Sequence, residues 1–441
     1  MKQHAFAVIA PVIPGKLEEL RSLLNVIHGD VEKNSLVRFC DLGTIHFARF
    51  VIIETQKETY PVQLSFSSNH DESEEEHISE LIRVAGEGLK KIYSCCEGFD
   101  GDFKAYFLKY KVPAKAYYIG HRGRGLAQIR DESRLQKAIV DFLDSENRNG
   151  SLNKMNPSEI KNKIGAYIKS NPDFEFAVKY KGLDGPDQFF RERGLLILLL
   201  LAIGGFLFLV GKGIHSLAFP AWLVVLIILL ATLTVIFFVL KRKLNRLEET
   251  DVSVVDLVDS DKVNSLMRAE NFVVQNQLTH IVEVKPGSFR RRTLKFVLGA
   301  INLLAKILFN RGTLGGIPSI HFARWVMIDS DKRLLFFSNF DGSWENYLGD
   351  FVDKASVGLT GVWSNSKNFP KTENLVSKGA TDEQHFKEWA RQHQIPTQVW
   401  YTAYKGLSVE NINNNSLIRR GLFRKMSEAK AQQWLKRINN G

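Results

Sequence analysis

Cysteine is scarce in this chain: 441 residues contain three, Cys40, Cys95 and Cys96. Three cannot build a disulfide framework, and the adjacent pair Cys95–Cys96 has no second pair at zinc-ligand spacing. They read as reduced, mostly buried thiols facing a cytoplasm, with no metal site. The sequence also predicts no secretory leader. The opening MKQHAFAVIAPVIPGKLEEL lacks an apolar stretch followed by a small-residue cleavage site, and reads instead as a strand running into a helix. No C-x-x-C-H, H-E-x-x-H, P-loop or G-x-S-x-G element stands out, so none of the chemistries those motifs carry is indicated. Helix-turn-helix, zinc-finger and RNA-binding signatures are absent too, which argues against nucleic acid as a partner despite a net charge of +11.

Long apolar runs, by contrast, are present. Leu195–Val210 is interrupted only by Gly204 and Gly205, and a second run extends from Leu217 to Leu240. As helices they measure about 24 Å and about 36 Å, against a bilayer core of about 30 Å. The short link through Gly211, Lys212, Gly213 and Pro220 requires them to be antiparallel. The sequence therefore predicts a transmembrane hairpin over 194–240, with Leu195, Leu200, Phe206, Trp222, Leu229 and Phe237 facing lipid. Arg191 and Arg193 precede it, Lys241, Arg242, Lys243 and Arg246 follow it, and the turn holds only Lys212 and His215. The positive-inside rule then predicts an integral protein of a bacterial-type inner membrane or its equivalent, with both flanking parts and both termini cytoplasmic. Two of the three basic clusters (Lys241–Lys243 and Arg290–Arg292, but not Arg419–Arg420) adjoin apolar segments, so the positive charge points to anionic lipid.

The flanking parts repeat each other. Ile45-His46-Phe47-Ala48-Arg49-Phe50 recurs as Ile320-His321-Phe322-Ala323-Arg324-Trp325, and Ser68-Asn69-His70-Asp71 as Ser338-Asn339-Phe340-Asp341. Ala85, Gly88, Leu89, Tyr93 and Ser94 fall on Ala355, Gly358, Leu359, Trp363 and Ser364. Further out, Pro14-Gly15 matches Pro286-Gly287, and Val112–Tyr118 matches Ile395–Tyr401. Such order, kept over more than a hundred residues, marks a duplication. Each copy reads as strand, helix, two strands, helix and a last strand, the last at 115–119 and 398–404. Ser73 and Ser343 are placed to cap the second helices, with Glu76 completing a capping box. The predicted division is a first half at 1–150, a linker at 151–193, the hairpin at 194–240, a linker at 241–275 and a second half at 276–441.

The order β-α-β-β-α-β is that of a ferredoxin-like unit. Two of them in tandem resemble the dimeric α/β-barrel superfamily, which includes dye-decolourising peroxidases, chlorite dismutases and quinol-type monooxygenases. The resemblance covers roughly residues 4–125 and 276–408 and implies an α+β fold: two ferredoxin-like units closing into an intramolecular barrel, with the hairpin inserted between them. It also implies a membrane-bound peroxidase-like oxidoreductase, with haem as its cofactor and a lipophilic or peroxide substrate. The alternative is a non-enzymatic module that binds an apolar small molecule or a partner. The peroxidases' G-x-x-D-G motif is approached by Ser338-Asn339-Phe340-Asp341-Gly342, with Ser in place of the first Gly.

Candidate site residues are the repeated polar ones: His46, Arg49 and Asp71, with His321, Arg324 and Asp341. Strict alternation along the strand puts His46, Ala48 and Phe50 on one face and Phe47 and Arg49 on the other. Buried cations need partners, and Asp71 and Asp341 are the expected carboxylates for Arg49 and Arg324. Residues Arg290–Phe309 carry basic groups around a Leu- and Phe-rich body. They are too polar to span a bilayer and fit a helix lying at its surface.

Overall fold

Strands of β-branched and aromatic residues, covered by amphipathic helices, make this an α+β protein with antiparallel sheets. The computed structural model describes residues 3–54, 59–179, 185–215, 221–253, 260–268, 270, 274–309 and 312–438. In the first half, β1 (His4–Pro11) leads to α1 (Leu17–Gly29). Strands β2 (Ile45–Ile53) and β3 (Gln63–His70) follow, then α2 (Glu74–Tyr93), α3 (Phe103–Tyr110) and β4 (Ala114–Ile119). The Ser73 side chain accepts from the Glu76 backbone and Glu76 reaches back, which closes the capping box at the start of α2. Residues 151–193, read from the sequence as a connection, contain folded helix. The long α4 (Leu126–Arg148) precedes that segment, and α5 (Pro157–Ser170) and α6 (Glu175–Lys179) lie inside it.

Two long helices come next, α7 (Gly185–His215) and α8 (Ala221–Glu249), and then the short α9 (Ser260–Arg268). The second half repeats the first: β5 (Gln275–Glu283), α10 (Ser288–Ile307), β6 (Ile320–Ile328), β7 (Arg333–Asp341) and α11 (Trp344–Trp363). A two-residue ribbon of β8 (Thr372–Glu373) and β9 (Ser377–Lys378) separates α11 from α12 (Glu383–His393). Strand β10 (Val399–Thr402), α13 (Val409–Gly421) and α14 (Glu428–Ile438) complete the described chain.

The sheets are not built as the repeat suggests. Their strand orders are β1-β3-β2-β10 and β4-β6-β7-β5. The fourth strand of each half has crossed to the other: β10 pairs with β2, and β4 pairs with β6. Each sheet is therefore three strands from one half and one from its sibling. The sequence predicts β4 and β10 correctly as strands, but a strand's hydrophobic pattern does not say which edge it will join.

Every residue of β2 and β6 is buried, because both faces of these central strands are covered. Outside the first sheet, Phe6, Phe50 and Phe66 pack beneath Leu20 and Leu24 of α1 and Leu81 and Tyr93 of α2. Outside the second, Trp325 and Phe336 meet Leu294 and Leu298 of α10 and Trp363 of α11. Between the sheets, Ile9, Val51 and Ile53 meet Ile281, Val326, Leu335 and Phe337 in a core shared by both halves. A further core joins the helices that follow the exchanged strands. Leu135 and Ile139 of α4, Ile164 and Ile168 of α5, Ile418 of α13 and Trp434 of α14 pack together.

Helices α7 and α8 include two segments long and apolar enough to cross a membrane, Arg193–Lys212 and Leu223–Glu249, neither buried by the rest of the protein. Leu195, Leu200, Phe206, Leu229 and Phe237 are exposed; the side chain of Trp222 lies outside the described residues. The foot of α8 is fastened to the second half. Buried Glu248 accepts from Thr372 Oγ1 (2.8 Å) and from the backbone N–H groups of Asn374 (2.9 Å) and Leu375 (2.8 Å). Asp251, just beyond, binds Lys285 and Arg290, each at 2.6 Å. Arg290 is thus a buried ion-pair partner and leaves the basic cluster at 290–292 with two members.

Candidate functional site

The repeated histidines and aspartates meet, and a β-bulge brings them together. Pairing of β2 with β3 slips between Ile45 and Phe47, and pairing of β6 with β7 slips at the matching place, between Ile320 and Phe322. A bulge inserts a residue and breaks the alternation of faces. His46 therefore turns inward beside Phe47 instead of lying on the outer face with Ala48 and Phe50. Its ring lies 5.4 Å from Phe322, and His321 lies 5.3 Å from Phe47, so each half contributes a phenylalanine to the other's histidine.

His46 Nε2 is 2.8 Å from Asp71 Oδ1, and the other oxygen of Asp71 accepts from the Leu126 backbone N–H at 2.6 Å. His321 Nε2 is 2.7 Å from Asp341 Oδ1, and Asp341 Oδ2 accepts from the Val409 N–H at 2.8 Å. Leu126 and Val409 open α4 and α13, the helices that follow the exchanged strands. Each aspartate thus ties a histidine of one sheet to the helix that follows a strand of the opposite sheet, with a negative charge at a helix N-terminus. The expected pairing of Asp71 with Arg49 and of Asp341 with Arg324 is not what the structure shows. The bulge brings the histidines to the carboxylates and sends the arginines elsewhere.

At the centre, Tyr404 Oη is 3.2 Å from His46 Nδ1 and 3.1 Å from His121 Nε2, and His121 Nδ1 is 3.1 Å from Gln3 Nε2. With neutral imidazoles the chain runs one way. Gln3 donates to His121, His121 to Tyr404, Tyr404 to His46 and His46 to Asp71. Burial, with His46 and His321 beside it, holds His121 well below the usual imidazole range; burial likewise pushes the Tyr404 hydroxyl up. The second copy stops short: His321 Nδ1 is buried with no partner. Neither His121 nor Tyr404 was singled out in the sequence. The signal was there, because the alignment that sets Val112 on Ile395 also sets His121 on Tyr404.

Arg49 and Arg324 cross the interior in opposite directions. Arg49 donates to Leu278 O (3.0 Å), Ser338 O (2.9 Å), Gln277, Thr279 and Asn339 of the second sheet. Arg324 donates to Phe6 O (2.9 Å), Ser68 O (3.2 Å) and Ser67 of the first. The Phe337 ring lies between them, 5.3 Å and 5.1 Å from the two guanidinium carbons. Burial, and for Arg49 also the nearby Arg324, lowers them to about 9 and about 10, so both remain cationic at neutral pH. Their partners are carbonyls, amides and hydroxyls, which makes them cross-sheet ties.

A recess lies elsewhere, over the seam between β5 and β10, edge strands of different sheets. Gln275 bridges this seam, donating to Tyr404 O and Leu407 O and accepting from Thr402. The recess has a volume of about 780 Å³. It is lined by Gln275, Gln277 and Thr397, by the aromatic Trp400 and Tyr401, and by Asn264 and Arg268 of α9. Gln277 Oε1 accepts from Arg49 (3.1 Å) and Thr397 (2.9 Å), so the lining is continuous with the buried arginine network. No sequence motif announced this recess, since its lining comes from four separated segments.

These side chains do not fit a haem at either repeated histidine. His46 uses both ring nitrogens, on Asp71 and Tyr404, while His321 is fully buried between Phe47 (5.3 Å) and Tyr404 (5.9 Å). A macrocycle has no space there. No group of His, Cys, Asp and Glu among the described residues could hold a metal ion. Fold and site together define an α+β protein with a duplicated, strand-exchanged core and a helical pair able to cross a membrane. No family model, no curated protein and no solved structure matches the chain.

Proposed function

We propose that the chain is a membrane-anchored binding protein, in which two ferredoxin-like halves close as one α/β barrel at the cytoplasmic face of a bilayer and take a polar solute into the recess at the β5–β10 seam. The hairpin supplies the anchor. Its flanking Arg193, Lys241, Arg242, Lys243 and Arg246, against Lys212 in the turn, support the orientation. The recess supplies the binding function, and one observation carries this reading: α9, which lines it, belongs to the segment that joins the membrane helix α8 to β5. A solute held among Gln277, Thr397, Asn264 and Arg268 contacts both the core of the barrel and its tether. The lining is rich in amides, hydroxyls and charge, which favours a hydrogen-bonding ligand over the apolar one expected from sequence.

The test is a thermal-shift panel of nucleosides, sugars and amino acids on the detergent-solubilised full chain, repeated with Asn264→Trp. That exposed position in the lining accepts the larger ring at the expense of recess volume. A ligand present at 100 times its Kd stabilises by about 2.7 kcal/mol. The expected result is a solute that raises Tm in the native chain and leaves the variant unmoved. If no solute acts, or every shift survives the tryptophan, the recess is not the binding site.

A further inference from the structure

The two copies of the first helix occupy the same place in their halves but present opposite surfaces. Helix α1 turns Glu18, Glu19, Ser22 and Asn25 outward, with Val26 as its one exposed large apolar side chain. Helix α10 uses Leu294 and Leu298 to cover its sheet, as Leu20 and Leu24 do in α1. Yet it leaves Phe296, Leu303, Leu304 and the adjoining Leu308 exposed, among Arg292, Lys295 and Lys306. Phe296 is 76% exposed, more than any described large apolar side chain of the hairpin. Packing on the sheet does not explain these residues, because the inward stripe is already complete.

Location does explain them. Helix α10 packs against α7, and the Lys243 ammonium at the foot of α8 lies 5.1 Å from the Phe289 ring at the start of α10. The apolar face is therefore continuous with the base of the hairpin, where Lys241, Arg242 and Lys243 stand. Apolar side chains set among basic ones, beside a membrane anchor, are the surface that an interfacial helix offers to acyl chains and anionic headgroups. We infer that α10 is a second membrane contact, seated in the bilayer surface through Phe296, Leu303, Leu304 and Leu308, so that the second half lies against the membrane and the first half stands away from it. This rests on the reading of α7 and α8 as a membrane hairpin.

Site-directed spin labelling of the full chain tests both and separates them. Cys40 is replaced by Ser, and single labels are placed through Phe296→Cys, Leu303→Cys, Val26→Cys and Leu229→Cys. The protein is then reconstituted in nanodiscs of equal parts phosphatidylglycerol and phosphatidylcholine. Expected are collision rates favouring oxygen over a water-soluble nickel complex at positions 296, 303 and 229, with the reverse at 26. Lipid exposure at 229 with aqueous values at 296 and 303 overturns the inference and leaves the hairpin standing. Labels at 296 and 303 shielded from both reagents mean that another protein covers the helix, which also overturns it. An aqueous value at 229 refutes the hairpin itself, and this inference with it.

Discussion

Removing one oxygen atom tests the buried relay most directly. In Tyr404→Phe the ring keeps its contacts with Phe47 (5.3 Å) and His321 (5.9 Å), while the hydroxyl between His46 and His121 is lost. Two buried imidazole nitrogens, His46 Nδ1 and His121 Nε2, then lose this hydrogen-bond partner. An orphaned buried polar group costs about 1–3 kcal/mol, so the loss of a partner at both nitrogens is expected to cost roughly 2–6 kcal/mol. The matched control is Tyr93→Phe. Tyr93 is equally buried, but its hydroxyl has no hydrogen-bond partner, so its removal relieves an unmet group and leaves stability unchanged or slightly raised. The assay is thermal unfolding of both variants in the same detergent, where each kcal/mol moves Tm by about 2–4 °C or less in a chain of this size. Equal Tm values for the two variants would refute the relay, because the same atom would then matter no more in the network than outside it.

Stability is expected to fall on the acid side of neutrality. Burial lowers His70, His121 and His280 well below the usual imidazole range and His77 to about 3, with His393 also lowered. Below about pH 6.5 the unfolded chain binds protons that these folded histidines refuse, so the stability present above that pH is lost as pH drops, each group adding up to about 1.4 kcal/mol per unit. A Tm profile between pH 7.5 and pH 5 that is flat or rises with acid contradicts this. Glu248→Ala should release the tether, since it leaves Thr372 Oγ1 and the N–H groups of Asn374 and Leu375 without their acceptor. Limited proteolysis should then cut faster within the β8–β9 ribbon while the rest of the second half stays protected; unchanged cleavage rates would show that the foot of α8 is held by other contacts.

Much of the architecture is legible in the residues because it rests on local signals. The apolar runs, the Ser73–Glu76 box and the paired Pro-Gly ends of the first strands each act through a few neighbouring residues, and α7, α8 and the cap of α2 lie where they indicate. The IHFAR repeat and the aspartate after the next strand identify a polar cluster, but not its partners. Partner choice depends on the bulges at Ile45–Phe47 and Ile320–Phe322, and a single inserted residue is invisible to a period of two. The strand exchange is hidden for a different reason. Lys115–Ile119 and Gln398–Tyr404 resemble each other, so the residue pattern of neither strand names the sheet that it completes.

That exchange also has a consequence for synthesis. The open edge of β2 is closed by β10, and Ile52 N–H finds its acceptor on Gln398, 346 residues further along the chain. At a translation rate of about 5–20 residues per second, this leaves the edge waiting for roughly 17–70 s. Throughout that interval the nascent first sheet carries an unpaired, apolar border of the kind that invites intermolecular pairing. Both long apolar helices, α7 and α8, leave the ribosome inside the same window, before the first sheet is finished.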